Sequence, residues 1–176
     1  TTWTSRTSGT SKQLNGINYG NTIFVAVGQS GTILNSSDGI TWTSRTSGTS
    51  NNLYGINYEN SIFVAVGESG TILTSSDGIS WTSRTSGTSK QLNGINYVNT
   101  IFVAVGESGT ILTSSDGITW TSRTSGTSNN LYGINYGNSI YVVVGGKSQS
   151  ETILTSSDVS SWTSRATGDL RNHLYG

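Results

Sequence analysis

Uninterrupted apolar runs of five residues recur along the chain: Ile23-Phe24-Val25-Ala26-Val27, Ile62-Phe63-Val64-Ala65-Val66, Ile101-Phe102-Val103-Ala104-Val105 and Ile140-Tyr141-Val142-Val143-Val144. They are rich in β-branched and aromatic residues and too short for a helix. The absence of alternation predicts strands buried on both faces. Before the second run, Leu53-Tyr54-Gly55-Ile56-Asn57-Tyr58 alternates loosely, and Gly55 allows a close backbone approach. Between them, Glu59-Asn60 is expected to form a two-residue hairpin turn, with relatives at Gly20-Asn21, Val98-Asn99 and Gly137-Asn138. After the run, Glu68-Ser69-Gly70 turns the chain into Thr71-Ile72-Leu73-Thr74, and a polar turn leads into Ser80-Trp81-Thr82-Ser83-Arg84-Thr85. No stretch holds a helical period over ten residues, so the chain reads as all-β.

The polar turn is the most regular element. Ser36-Ser37-Asp38-Gly39-Ile40-Thr41-Trp42 returns as Ser75-Ser76-Asp77-Gly78-Ile79-Ser80-Trp81 and as Ser114-Ser115-Asp116-Gly117-Ile118-Thr119-Trp120. A worn copy, Ser156-Ser157-Asp158-Val159-Ser160-Ser161-Trp162, closes the series. An Asp in such a turn accepts hydrogen bonds from backbone N–H groups two residues on. The Gly takes a backbone angle other residues resist, so Val159 predicts a looser or rearranged last turn. Trp42, Trp81, Trp120 and Trp162 then anchor the outgoing strands in apolar packing.

Tryptophan stands at 3, 42, 81, 120 and 162, spacings of 39, 39, 39 and 42 residues. A second rhythm overlies the first. Lys12-Gln13-Leu14-Asn15 recurs as Lys90-Gln91-Leu92-Asn93, and Asn51-Asn52-Leu53-Tyr54 as Asn129-Asn130-Leu131-Tyr132, which points to a copied pair of repeats. Four strands in about 40 residues, with one strand buried on both faces, predict a β-propeller of four-stranded antiparallel blades. An open β-solenoid is the alternative, although its repeats are usually shorter. The single repeat domain divides into a lone outer strand at 1–9, whole blades at 12–47, 51–86, 90–125 and 129–167, and the start of a further blade at 171–176. The leftover pieces are a fourth and a first strand, so the ring is expected to close only with further blades or by self-association.

Composition narrows the function. The 176 residues have zero formal net charge and are only 10% charged, against about 25% in ordinary domains. A neutral surface argues against nucleic acid, which needs a basic footprint. Runs of five apolar residues give no membrane span. With no Cys there are neither disulfides nor thiolate metal sites. Few Lys and abundant Ser and Thr suggest an extracellular, cell-surface or periplasmic protein. The chain opens inside a repeat without Met, and reads as a piece of something larger.

Ser-x-Asp-Gly-x-Thr-Trp resembles the Asp-box (BNR) repeat of sialidase-like propellers. The longer string from Val66 to Gly78 is similar to blades of the photosystem II assembly/stability factor group. The resemblance covers every blade and implies the fold. It leaves function open, because such propellers include hydrolases, receptors and assembly factors.

Catalysis needs different residues converging on one point, whereas near-copies turn each side chain into a ring of equivalents. Arg6, Arg45, Arg84, Arg123 and Arg165 suggest the arginine cluster of sialidases. Each, however, follows its Trp by three residues on the outermost strand, away from the axis. Asp38, Asp77, Asp116 and Asp158 are isolated carboxylates and read as turn braces, so neither metal nor cofactor is expected. His173 is a lone histidine beside Asp169 and Arg171. The Gly-x-Ser-Gly pieces lack the helix of a nucleophile elbow or phosphate loop. Asn35-Ser36-Ser37 is a glycosylation sequon inside a turn.

Candidate ligand-binding residues lie where the copies differ. The connections from strand four to strand one carry Lys12, Gln13, Asn51, Asn52, Lys90, Gln91, Asn129 and Asn130. Those from strand two to three carry Gln29, Glu68, Glu107 and Lys147. Strand order puts both sets on one face, opposite the Asp turns, with Tyr54 and Tyr132 nearby. Amides beside an aromatic suit a glycan or an extended protein ligand, against the plainer reading of solvated loops. The reading is therefore a non-enzymatic binding or structural scaffold, with a sialidase-like hydrolase fragment or an assembly-factor-like propeller as the alternatives.

Overall fold

The computed structural model describes residues 2–147 and 150–165. Four four-stranded antiparallel sheets follow one another along the chain. The first holds β1 (Leu14–Gly20), β2 (Ile23–Gly28), β3 (Ile33–Ser36) and β4 (Thr43–Arg45). The second holds β5 (Leu53–Glu59), β6 (Ile62–Gly67), β7 (Ile72–Ser75) and β8 (Thr82–Arg84). The third holds β9 (Leu92–Val98), β10 (Ile101–Gly106), β11 (Ile111–Ser114) and β12 (Thr121–Arg123). The fourth holds β13 (Asn130–Gly137), β14 (Ile140–Lys147), β15 (Ser150–Ser156) and β16 (Thr163–Arg165). Within each sheet neighbours in sequence are neighbours in space, which is the plan of a propeller blade.

The blades stack face to face, and the core lies between them. Val25, Val27 and Ile33 of the first blade meet Leu53, Ile56, Phe63, Ala65 and Leu73 of the second. Val64, Val66 and Ile72 of the second meet Leu92, Phe102, Ala104 and Leu112 of the third. Alternate residues of β6 thus serve opposite interfaces, and Phe63, Val64, Ala65 and Val66 are fully buried. This is why the run shows no alternation. The innermost strands β1, β5, β9 and β13 lie beside one another along the stack. Asn15 Nδ2 donates to the Leu53 carbonyl and Asn93 Nδ2 to that of Leu131, both at 2.8 Å, tying first strand to first strand.

The hairpin between strands one and two differs from expectation by one residue. Glu59 pairs with Ile62, so the central residues are Asn60 and Ser61, not Glu59-Asn60. Both have positive φ, 51° and 61°, as a type I′ turn requires. The other three copies do the same at Asn21-Thr22, Asn99-Thr100 and Asn138-Ser139. Next to the turn, Tyr58 stacks on its cross-strand partner Phe63 with ring centroids 4.4 Å apart, and Phe63 meets Trp81 at 6.3 Å.

The lone outer strand expected at 1–9 is not formed: residues 2–9 are in no strand, and Trp3 is 97% exposed. A fourth strand pairs with a third, and none of the four sheets takes up these residues. The further blade expected to begin at 171–176, His173 and the end of the 129–167 blade lie outside the described residues. In the last blade the inserted residues lengthen the central hairpin, with Lys147 paired to Ser150.

Candidate functional site

Two loop systems occupy opposite ends of each blade. At one end sit the Asp turns between strands three and four. Asp77 Oδ1 accepts from the Ile79 N–H at 2.8 Å, the Ser80 N–H at 2.9 Å and the Ser75 hydroxyl at 2.9 Å. Ser75 Oγ in turn accepts from the buried N–H of Gly78 at 2.8 Å. Asp38 and Asp116 repeat the arrangement. The N–H groups of Thr41 and Thr119, the largest cause, followed by those of Ile40 and Ile118, hold these two carboxyls down at about 2. Asp77 is lowered by the equivalent bonds from Ser80 and Ile79. At Asp158 the Ser160 hydroxyl contributes most, again to about 2. Among the described residues no three His, Asp or Glu side chains gather as a metal site would require.

The last turn is not loosened by Val159. Ser156 Oγ still accepts from the Val159 N–H at 2.9 Å, and Asp158 Oδ1 accepts from Ser160 and Ser161 at 2.9 and 3.2 Å. Val159 takes φ +60°, which glycine would adopt more easily, and is 5% exposed in the contact between the third and fourth blades. Burial of a branched side chain, worth about 1.5–3 kcal/mol, offsets a left-handed backbone cost of about 1–2 kcal/mol. The tryptophans divide. Trp81, Trp120 and Trp162 all pack on the core, but Trp120 and Trp162 donate Nε1–H to the turn carbonyls of Gly117 and Val159, whereas the Trp81 Nε1 is unpartnered.

At the other end, the connections from strand two to three and from strand four to one meet. The Glu68 N–H donates to the Asn52 carbonyl at 2.8 Å, and the Gln29 N–H to the Gln13 carbonyl at 2.8 Å. Most of the amides singled out from sequence are engaged here in bracing. Asn52 Oδ1 accepts from the Ser30 N–H at 2.9 Å and Asn130 Oδ1 from the Ser108 N–H at 3.1 Å, each linking neighbouring blades. Asn51 Nδ2 donates to Thr71 Oγ1 at 2.8 Å, and Asn129 Nδ2 to Thr152 Oγ1 at 2.7 Å. Glu68 accepts from the Asn52 N–H at 3.2 Å, and Gln91 Nε2 donates to Asn93. Lys12, Gln13, Lys90 and Glu107 stand exposed on the same loops, while Tyr132 is exposed and Tyr54 half-buried.

Beside these loops run grooves lined mainly by positions that do not vary between the copies. Ser83, Arg84, Thr85 and Ser86 line one of about 470 Å3 together with Ser69 and Thr71. Its equivalents hold Arg45, at about 520 Å3, and Arg123, at about 450 Å3. Each Arg is fixed by its Nε, to Thr74 Oγ1 at 2.8 Å, Asn35 Oδ1 at 3.1 Å and Thr113 Oγ1 at 2.9 Å respectively. The arginines therefore brace β3 to β4 and their equivalents, and also line a hydroxyl-rich groove. The signal was present as Thr-Ser-Arg-Thr-Ser-Gly-Thr at 39-residue spacing, but invariance made it look purely structural.

No protein-family model matches the chain, and no curated protein matches it. Solved structures do. YCF48 from Cyanidioschyzon merolae aligns at 20% identity and TM-score 0.67, covering 92% of this chain and 59% of its own. YCF48 bound to D1 peptide aligns at 19% identity and TM-score 0.70, covering 88% and 53%. A variant of the GH43 protein BlXynB from Bacillus licheniformis aligns at 11% identity and TM-score 0.54, covering 89% and 42%. The chain thus spans a little over half the length of the two YCF48 chains. With four antiparallel four-stranded blades packed face to face, it has the β-propeller fold of these proteins.

Proposed function

We propose that the chain is a non-enzymatic, multivalent binding scaffold that holds an extended ligand along the repeated grooves beside its two connecting-loop sets. The recurrence of one groove at three successive blades, each with one anchored Arg among Ser and Thr hydroxyls, carries this reading. Identical weak sites at a fixed spacing gain through effective concentration, which raises apparent affinity by about 10²–10⁴-fold for a ligand that spans them. Between the two ligand classes that suit amides and hydroxyls, a polypeptide is favoured over a glycan. One of the similar structures is a complex with a peptide, and no aromatic side chain lines these grooves for a sugar to stack on. Loops on a rigid scaffold are the usual place for such recognition.

The test is a peptide array and a glycan array probed with the chain and with Arg45→Ala, Arg84→Ala and Arg123→Ala singly and together. The expected result is peptide capture that falls more steeply with each groove removed than in proportion to their number. Equal capture by the triple variant would remove the grooves from the reading. Release of reducing sugar from xylan or arabinan would favour the alternative of a glycoside hydrolase fragment, whose chemistry requires two carboxylates within roughly 5–9.5 Å of each other.

A further inference from the structure

Each end of the array exposes one half of a contact that is used three times inside it. The face that a blade turns to its predecessor is sealed in the second blade, where Leu53 is 0% and Ile56 7% exposed. In the first blade the equivalent Leu14, Ile17 and Tyr19 are 40%, 59% and 57% exposed. A groove of about 410 Å3 opens beside them, floored by Ala26 and Trp42. The opposite face, turned to the successor, is sealed in the third blade, where Val103 and Val105 are 0% exposed. In the fourth blade Val144, the equivalent of Val105, is 46% exposed, and Ile140, the equivalent of the half-buried Ile101, is 41% exposed. Side chains that elsewhere form the core thus face water at both ends, and the two ends are complementary halves of the same joint.

The glycine of the Asp turn gives an independent observation. At Gly78 an added Cβ would lie 2.6 Å from Ile23 Cδ1 and 2.9 Å from Val25 Cγ2 of the preceding blade, so the missing side chain is what lets the neighbour in. Gly39 has nearly the same backbone, φ +69° against +66°, yet a Cβ there would meet only Phe24 at 3.7 Å. The first blade keeps a vacant seat shaped for an Ile and a Val. In the repeat, the residues equivalent to Ile23 and Val25 on the open face of the fourth blade are Ile140 and Val142.

We propose that a second copy of this chain fills that seat: the fourth blade of each copy docks on the first blade of the other, head to tail, and two copies close one ring. The new contact continues the internal one with the same residues in the same register. One copy aligns over 59% and 53% of the two YCF48 chains, so two copies together supply at least the length of one such propeller chain. A head-to-tail contact closes when its rotation completes the circle, and otherwise runs on as a filament.

Light scattering and native mass spectrometry of the full chain read the outcome. A single species of twice the 18.5 kDa chain mass is expected. A monomer at about 100 μM would overturn the proposal and leave the faces to further blades of a longer polypeptide. A ladder of masses growing with concentration would overturn closure. Ile17→Lys and Val144→Lys are each expected to give monomers with an unchanged β circular-dichroism spectrum, because both faces enter every joint. If one variant stayed dimeric while the other did not, the pairing would be like-to-like and the proposal would fail. Mixing the two monomeric variants should restore dimers through the one joint still intact, a recovery that a merely unfolded variant could not show. Gly39→Ala should also weaken pairing. An equal effect of Gly39→Ala and Gly78→Ala on the melting of the monomer would contradict the seat.

Discussion

Replacing Asp77 by Ala removes one carboxylate oxygen that accepts three hydrogen bonds, from the Ile79 and Ser80 N–H groups and the Ser75 hydroxyl. Ile79 and Ser80 are exposed, so water takes over part of each bond, and the net loss is about 0.5–1.5 kcal/mol per bond. The total, roughly 1.5–4.5 kcal/mol, exceeds a typical helix N-cap deletion of about 1 kcal/mol because three donors share the acceptor. For a chain of this size that corresponds to a melting point lower by roughly 3–18 °C. Asp77→Asn keeps an acceptor oxygen in place and is expected to cost less than half as much. Ser75→Ala should be at least as damaging as Asp77→Ala, since it strands the buried Gly78 N–H at about 1–3 kcal/mol. Thermal melts followed by circular dichroism, with and without millimolar Ca2+, measure all three. Two results would refute this account of the turn: Asn as harmful as Ala, or Ca2+ raising the melting point of the wild type but not of Asp77→Ala. Either result would mean that charge, and not acceptor geometry, is what the turn needs.

Three further outcomes are expected. Val159→Gly relieves the left-handed backbone but empties a buried site between blades, and should lower stability by about 1 kcal/mol, read by urea titration, while Ser156 and Asp158 keep their bonds. Phe63→Ala deletes a fully buried ring that touches Tyr58 and Trp81, and should lower stability by about 3–5 kcal/mol, visible as loss of near-ultraviolet circular dichroism at temperatures where the wild type is folded. In acid, carboxyls held near 2 when folded and near 3.8 when unfolded stabilise the fold fully above pH 4. That contribution should disappear as pH falls from about 4 to about 2, and an acid titration showing no loss across this window would contradict the turn geometry.

The blade was legible in the sequence because its signals are local and repeated. An unbroken Ile-Phe-Val-Ala-Val run specifies a strand with two dry faces, and an Asp followed by Gly specifies the turn after it. The hairpin was misplaced by one residue because its second central position is Thr or Ser, not the glycine that marks such turns. Only the pairing of Glu59 with Ile62 shows that Ser61 takes φ +61°. The bracing role of the loop amides was hidden for another reason. Asn52 looked free for a ligand because its partner, the Ser30 N–H, lies 22 residues away on a different blade, and no periodicity announces that contact. The rim grooves were passed over because variation between copies, not sameness, was taken as the mark of recognition. The proposed multivalent binding would invert that rule.

Each inner joint is made from the same two surfaces, so the units are interchangeable in a strong sense. Excising one whole repeat from the interior, such as residues 51–89, would appose the face of the first blade to that of the third. These surfaces already match partners of nearly identical composition. Copy number is thus a freely adjustable parameter of this architecture. A slip during replication between near-identical coding segments would alter how far the arc sweeps without disturbing any single seam.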